Sequence, residues 1–394
     1  MANIHNSMKN SPHICPSQRV DSVEEYYFSR KLREVAALRA AGNDIISLAI
    51  GGPDTPPPPE VIDTLTEQAH RHDTHSYQPG TGIPELKKAM ADWYRKSYGV
   101  ELDPAKEILP LIGSKEGVMH VSMAFLNPGD GVLVPNPGYP TYTSASRLVG
   151  AAIYPYSLTE EHGWMPDFDE LESLPLDHIK VMWVNYPHMP TGAQPTMELF
   201  ERLIEFGRKH SIVIAHDNPY SFILTDEPMS ILQVPGAKDV ALEMNSLSKS
   251  HSMAGWRVAM LASNPDFVNW IYKVKSNVDS GQFKPVMMAA VKALEQGREW
   301  HDALNELYWR RRVIAEQIMQ KLQCRYNPQQ RGLFLWGKIP DTCPGSEQMA
   351  DELLYNKGVF IAPGFIFGTN GTRYIRISLC ATEENLTKAL QRLS

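Results

Sequence analysis

Residues 241–262 read ALEMNSLSKSHSMAGWRVAMLA. A largely apolar run, Ala241–Met244, leads into a small-residue turn holding Lys249, and a second apolar run, Val258–Ala262, follows Arg257. Short apolar runs bounded by Asn, Ser and Gly are strand signals. The pattern therefore places Lys249 in a polar turn at the end of a sheet. Toward the N-terminus, further runs at Ile108–Ile112, Val132–Val134, Ala152–Tyr154, Val181–Val184 and Ile212–Ala215 alternate with amphipathic stretches. In Glu85–Tyr98, Leu86, Met90 and Trp93 share a helical face. In Met197–His210, Leu199, Leu203, Ile204 and Phe206 do the same. Seven strands interleaved with helices predict an α/β fold, with a mostly parallel seven-stranded sheet covered by helices.

Beyond about Pro285 the pattern changes. A long helix, Trp300–Leu322, precedes strands at Gly332–Trp336, Val359–Ile361 and Tyr374–Leu379 and a closing helix, Glu383–Leu393. This predicts a smaller α+β domain. On the N-terminal side, Tyr27–Ala41 reads as a helix ended by Gly42, and Ile45–Ile50 as a short strand. Gly51-Gly52-Pro53 and the prolines 56–59 then mark a connection between two bodies. The expected division is 1–55 as an N-terminal arm and part of the small domain, 56–285 as the large domain, and 286–394 as the small C-terminal domain. The stretch up to about Asp21 has little periodicity and is expected to form a loose arm.

The net charge of −7 over 394 residues argues against a nucleic-acid partner or a polybasic membrane anchor. No apolar run approaches the roughly 18–20 residues that span a bilayer. Residues 1–19 are polar, are broken by Pro12 and Pro16, and lack the apolar core of a secretory signal. Cys15, Cys324, Cys343 and Cys380 form no CxxC pair, which fits a reducing compartment, so a cytoplasmic location is expected. His70, His72 and His75 have no carboxylate or cysteine company and read as a polar helix end; no metal is expected.

Several residues carry chemistry. Lysine is the side chain that forms an imine with an aldehyde cofactor, and the small neighbours of Lys249 leave room for a ring. A lone lysine in a serine-rich turn is ordinarily solvated. Here Arg257, eight residues on, can grip a phosphate with two hydrogen bonds. Asp217, in His216-Asp-Asn-Pro-Tyr220, falls at the carboxyl end of a strand, where open α/β sheets bind ligands. A carboxylate there can keep a pyridine nitrogen protonated, and the Tyr220 hydroxyl lies close by in sequence. Gly113 and Ser114 join a strand to a helix, Glu116–Leu126, and leave N–H groups open to a phosphate. Tyr139, in Pro137-Gly-Tyr-Pro140, can stack on a flat ring. Along Tyr374–Leu379, Arg376 shares a face with Tyr374 and Ser378 and suits a substrate carboxylate.

Together these elements resemble the class I/II pyridoxal-phosphate (PLP) aminotransferases of fold type I, nearest the branch with LL-diaminopimelate and aspartate-type enzymes. The resemblance runs from about Tyr27 to the C-terminus and is carried most specifically by Ser246-x-Ser-Lys249 and Gly255-x-Arg257. It implies transfer of an amino group from an L-amino acid to a 2-oxo acid by a ping-pong mechanism, through a Schiff base on Lys249. It further implies Asp217 on the pyridine nitrogen and Tyr220 on the ring oxygen. Ser114, Lys115, Ser246, Ser248 and Arg257 would surround the phosphate, and Tyr139 would stack on the ring. Tyr77 would reach the phosphate from the other subunit of a homodimer, and Gly52 and Arg376 would hold the substrate.

Two departures stand out. Met189 occupies the place of the family's usual asparagine before Pro-Thr-Gly, which removes a donor to the ring oxygen. The imine pKa is then expected to rise, unless His188 or Asn185 compensates. Gly80 stands where diaminopimelate enzymes carry a glutamate. The same scaffold hosts cysteine-conjugate β-lyases and PLP-sensing domains of transcription regulators. The sensor would need a DNA-binding domain, for which the short, non-basic N-terminus leaves no space.

Overall fold

The structure, a computed structural model, describes residues 14–393. All seven expected strands join one sheet. Their spatial order is Ile108–Leu111, Ala259–Ala262, Ala241–Ser246, Val213–Asp217, Ile179–Val184, Gly131–Asn136 and Ala152–Ser157. From Ala241–Ser246 to Ala152–Ser157 every pairing is parallel. Ala259–Ala262 alone runs against both its neighbours. Parallel neighbours need a long crossover, whereas antiparallel ones can be joined by a short return. The turn carrying Lys249 is such a return, so it stays at the end of the sheet. The central strands are buried along almost their whole length, as expected for a sheet covered on both faces.

The amphipathic helices form as their periodicity demands. Pro84–Tyr98 buries Leu86, Met90 and Trp93 and ends at Gly99, whose φ of 66° is the left-handed conformation glycine adopts freely. Met197–His210 is capped by Thr196, whose hydroxyl accepts from the Leu199 N–H at 3.1 Å. Arg208, Lys209 and His210 lie in its last turn, where cations complement the helix dipole.

The C-terminal strands form a second, antiparallel sheet in the order Ala362–Pro363, Tyr374–Ser378, Phe334–Lys338 and Arg325–Tyr326. The N-terminal segment is laid onto this part of the molecule. Ile46–Ser47 pairs in parallel with Val359–Phe360, so the expected strand Ile45–Ile50 is shorter than its apolar run. Leu48 extends the connection: its N–H donates to Phe360 O and its carbonyl accepts from the Ser378 N–H. Just beyond, Arg311 holds Asp54 through two bonds of 2.7 Å and also donates to Leu379 O. This clamp anchors the chain just after Gly51-Gly52-Pro53.

Two expectations need correction. Pro59 is not in the connection but begins the helix Pro59–Ala69, because a first-turn position needs no N–H. Of the arm expected through Asp21, residues 1–13 lie outside the described residues, and Gln18–Asp21 forms a short helix rather than loose chain.

Candidate functional site

A cavity of about 440 Å³ opens at the carboxyl ends of the parallel strands, between them, the N-terminal segment and the C-terminal sheet. Lys249 sits in its wall. Ser246 caps the short helix Leu247–Ser250 by accepting from the Ser248 N–H at 3.2 Å, and this turn aims Lys249 inward. The Lys249 ammonium donates to the Gly51 carbonyl. A side chain at Gly51 would collide with the Phe334 ring, only 2.3 Å from the place a Cβ would take, so glycine is required for this approach. Burial holds the Lys249 amine below the ordinary lysine range.

Asp217 ends its strand, two residues beyond the expected strand end, and is 5% exposed. One carboxylate oxygen accepts from the Tyr142 hydroxyl at 2.9 Å. The other is buried with no hydrogen-bond partner among the described residues. Burial pushes the carboxyl up to about 6, against the Tyr142 bond, which favours the ionised form. Tyr220 and Tyr139 line the same cavity, and burial raises both phenols.

Three strands away along the sheet, Gly113 caps the helix Ser114–Phe125. Gly113 has φ 86°, and an added Cβ would lie 1.8 Å from a terminal nitrogen of Arg257. Only glycine lets the guanidinium lie against this helix start, where it donates to Ala254 O and Ile112 O. The Ser114 hydroxyl is buried there without a hydrogen-bond partner among the described residues. Free donors, an arginine and a helix N-terminus together make an anion seat. Lys115, Ser246 and Ser248 also line the cavity, but the Lys115 ammonium lies 4.6 Å over the Tyr26 ring.

Arg376 is 4% exposed and has no carboxylate partner among the described residues. Its guanidinium lies 3.8 Å from the Phe334 ring centre and 4.7 Å from that of Phe367. One terminal nitrogen donates to Ala49 O at 2.8 Å, and the other meets the Met189 sulfur at 3.2 Å. Burial lowers its pKa to about 10. A cation held dry between aromatic faces is poised for an anion.

The cavity thus gathers Gly52, Ser114, Lys115, Tyr139, Asp217, Tyr220, Ser246, Ser248, Lys249, Arg257 and Arg376. Tyr77 is outside it and 90% exposed. Gly52 lines the cavity, yet its own Cβ position is open, so packing does not demand glycine there. Of the residues named as compensators for Met189, Asn185 is engaged on both sides, whereas His188 keeps its Nε2 without a hydrogen-bond partner among the described residues. The Asn185 amide donates to Asp217 O at 2.6 Å, while its oxygen accepts from the Met189 N–H at 2.8 Å. His188 pairs with Thr191 at 2.8 Å, and burial pushes it down to about 3. Sequence reasoning missed Tyr142, the Gly51 carbonyl and the aromatic faces around Arg376. Pro140 at a helix start was the available signal for the helix that carries Tyr142.

The profile of the family described as aminotransferase class I and II matches residues 43–393. An LL-diaminopimelate aminotransferase of Dehalococcoides mccartyi is 38% identical over 380 residues, covering 96% of this chain and 98% of that one. The apo-BacF structure from Bacillus subtilis superposes with a TM-score of 0.92 at 34% identity, covering 96% and 97% of the two chains. A Thermus thermophilus aspartate aminotransferase double mutant gives 0.89 at 25% identity, covering 96% and 99%.

Proposed function

The chain belongs to the class I and II aminotransferases and is a pyridoxal-phosphate-dependent transaminase of fold type I, and from this we propose that Lys249 binds the cofactor covalently and moves the proton in catalysis. The observation that carries this assignment is that, among the described residues, a buried amine, a carboxylate with one unpartnered oxygen and a guanidinium with no carboxylate partner line one cavity.

The residues fit the cofactor. Asp217 Oδ1 and Ser114 Oγ are buried polar atoms lacking partners among the described residues, and the two lie three strands apart along the sheet. In our assignment Asp217 faces the pyridine nitrogen, Tyr220 the ring oxygen and Tyr139 the ring face. Ser114, Lys115, Ser246, Ser248 and Arg257 hold the phosphate. Pyridoxal phosphate, when bound, supplies an electron sink that makes an amino acid's α-hydrogen acidic. Tyr142 keeps Asp217 in the carboxylate form that this requires. Arg376 grips the substrate's α-carboxylate, while Phe334 and Phe367 keep water from the pair. Gly52 approaches the substrate through its backbone. Lys249 Nζ, freed by the incoming amino acid, takes the α-proton and later returns one. The amino group passes to a 2-oxo acid in a second half-reaction that reverses the first.

We propose further that the enzyme works as a homodimer in the cytoplasm, with Tyr77 contributed to the phosphate across the interface; its exposure and its place outside its own cavity support this. Among the described residues no helix is long and apolar enough to cross a membrane. In this proposal residues 1–55 supply the N-terminal arm and part of the small domain, 286–394 the small C-terminal domain, and 56–285 the large one.

Half-reactions test the assignment. Adding L-amino acids singly to the holoenzyme should convert the cofactor's absorbance to that of its amine form. Arg376→Gln should lower kcat/KM about 10²–10⁴-fold, mostly through KM, because a buried charge pair is worth roughly 3–5 kcal/mol when one partner is lost. Its cofactor spectrum should stay that of the wild type; an unchanged KM contradicts the carboxylate role. Met189→Asn should shift the pH midpoint of the cofactor's absorbance down by about one to two units, since a hydrogen bond to a charged group contributes about 1.5–3 kcal/mol. A spectral titration with no shift would show that Met189 does not face the ring oxygen.

A further inference from the structure

We infer that Lys275, Asp279 and Gly281 are positioning residues for Tyr77, so that a change at these positions weakens cofactor binding in the partner subunit's site. The inference rests on the homodimer reading, with Tyr77 as the residue that crosses the interface.

A side chain that serves a neighbouring subunit must be aimed by its own chain before it arrives. Tyr77 precedes Gln78, and Gly281 lies against that residue. Gly281 has φ 88°, and an added Cβ would stand 2.5 Å from the Gln78 carbonyl oxygen. Only glycine combines that conformation with so close an approach. Two further contacts join the same segments. A Cβ at Gly80 would meet the Tyr272 ring at 3.5 Å, and the His75 and Phe283 ring centres are 5.6 Å apart. Residues 272–283 thus form the floor under the segment that carries Tyr77.

An ion cluster holds Gly281 in place. Its N–H donates to one Asp279 carboxylate oxygen at 2.8 Å, and the other oxygen accepts from the Lys275 ammonium at 2.5 Å. Lys275 is 1% exposed, ends the helix Pro265–Lys275 and also donates to Glu116 at 3.2 Å. Glu116 lies in the first turn of the helix Ser114–Phe125, where it accepts from the Ile112 N–H at 2.8 Å and pairs with His120 at 2.6 Å. Glu116, His120 and Asp279 converge as metal ligands would, but the Lys275 ammonium already stands among them as the cation. Burial opposes the Glu116 charge, yet the His120 bond and the Lys275 charge outweigh it and hold the carboxyl below the usual carboxylate range. One end of the cluster is therefore the helix whose start forms the anion seat, and the other is the floor under Tyr77. All these contacts lie within one chain, so they do not depend on what a partner subunit adds.

Hybrid dimers test this, with Lys249→Ala in one subunit so that only the other attaches the cofactor. Pyridoxal phosphate would be titrated in and read by the absorbance of the attached form. Gly281→Ala in the Lys249→Ala subunit should raise the half-saturating concentration about tenfold, although the site being read carries no change in its own chain. Gly281→Ala in the other subunit should leave that concentration near its value in the hybrid without it. Loss only in this second arrangement, equal loss in both, or loss in neither overturns the inference and leaves the transaminase reading intact. Tyr77→Phe combined with Gly281→Ala in the Lys249→Ala subunit should cost no more than Tyr77→Phe alone, because both act through one hydroxyl; additive losses overturn the positioning role. Asp279→Ala in that subunit should act as Gly281→Ala does, and an unchanged affinity removes the ion cluster from this role. Gly281→Ala keeps the test decisive should Asp279→Ala fail to assemble. Sedimentation of monomers alone would overturn the homodimer reading together with this inference.

Discussion

Lys249→Ala is expected to lower kcat about 10⁴-fold or more, because one amine both binds the cofactor and moves the α-proton. Its environment suits both tasks. Burial depresses the amine's pKa, so a larger share is neutral and nucleophilic near pH 7, and the Gly51 carbonyl fixes its direction. Lys249→Arg should not recover activity, since a guanidinium stays protonated and cannot act as a base. Added methylamine should restore part of the single-turnover rate of Lys249→Ala by supplying the missing base. A variant retaining more than about a hundredth of wild-type kcat would show that another group moves the proton.

Asp217→Asn should trade activity for stability. In the cofactor-free protein the Asp217 carboxyl is pushed up to about 6 from an ordinary value of 3.8. The folded chain then binds this proton more tightly than the unfolded chain. Stability is therefore lost as pH rises from about 4 to 6, up to about 3 kcal/mol at neutral pH. Asparagine mimics the protonated form and can still accept from Tyr142. Urea unfolding of the cofactor-free proteins should show Asp217→Asn more stable than wild type at pH 7.5 and equal to it below pH 4. With cofactor added, turnover should fall about 10²–10³-fold, because an amide cannot hold the ring nitrogen's proton. A variant less stable than wild type at pH 7.5 would mean that the carboxylate is not strained by burial.

The sheet was legible because its seven strands are short apolar runs, separated by turn residues or amphipathic helices. Strand direction was not: nothing in Ala259–Ala262 distinguishes an antiparallel strand from a parallel one except the short return that precedes it. The helix Pro140–Leu148 escaped because its buried face is Thr141, Tyr142, Ala145 and Ser146, which carries little apolar periodicity. Tyr142 was lost with it. Lys249, Asp217 and Arg257 were readable because their chemistry is tied to local neighbours. The setting of Arg376 was not, since Phe334 and Phe367 come from other elements and meet it only in the fold.

The most direct test is borohydride reduction of the holoenzyme, followed by digestion and mass spectrometry to find the lysine that keeps the cofactor. The pyridoxyl group should be recovered on the peptide containing Lys249, and on no other. Recovery on a different lysine, or no covalent attachment at all, would contradict the assignment of Lys249.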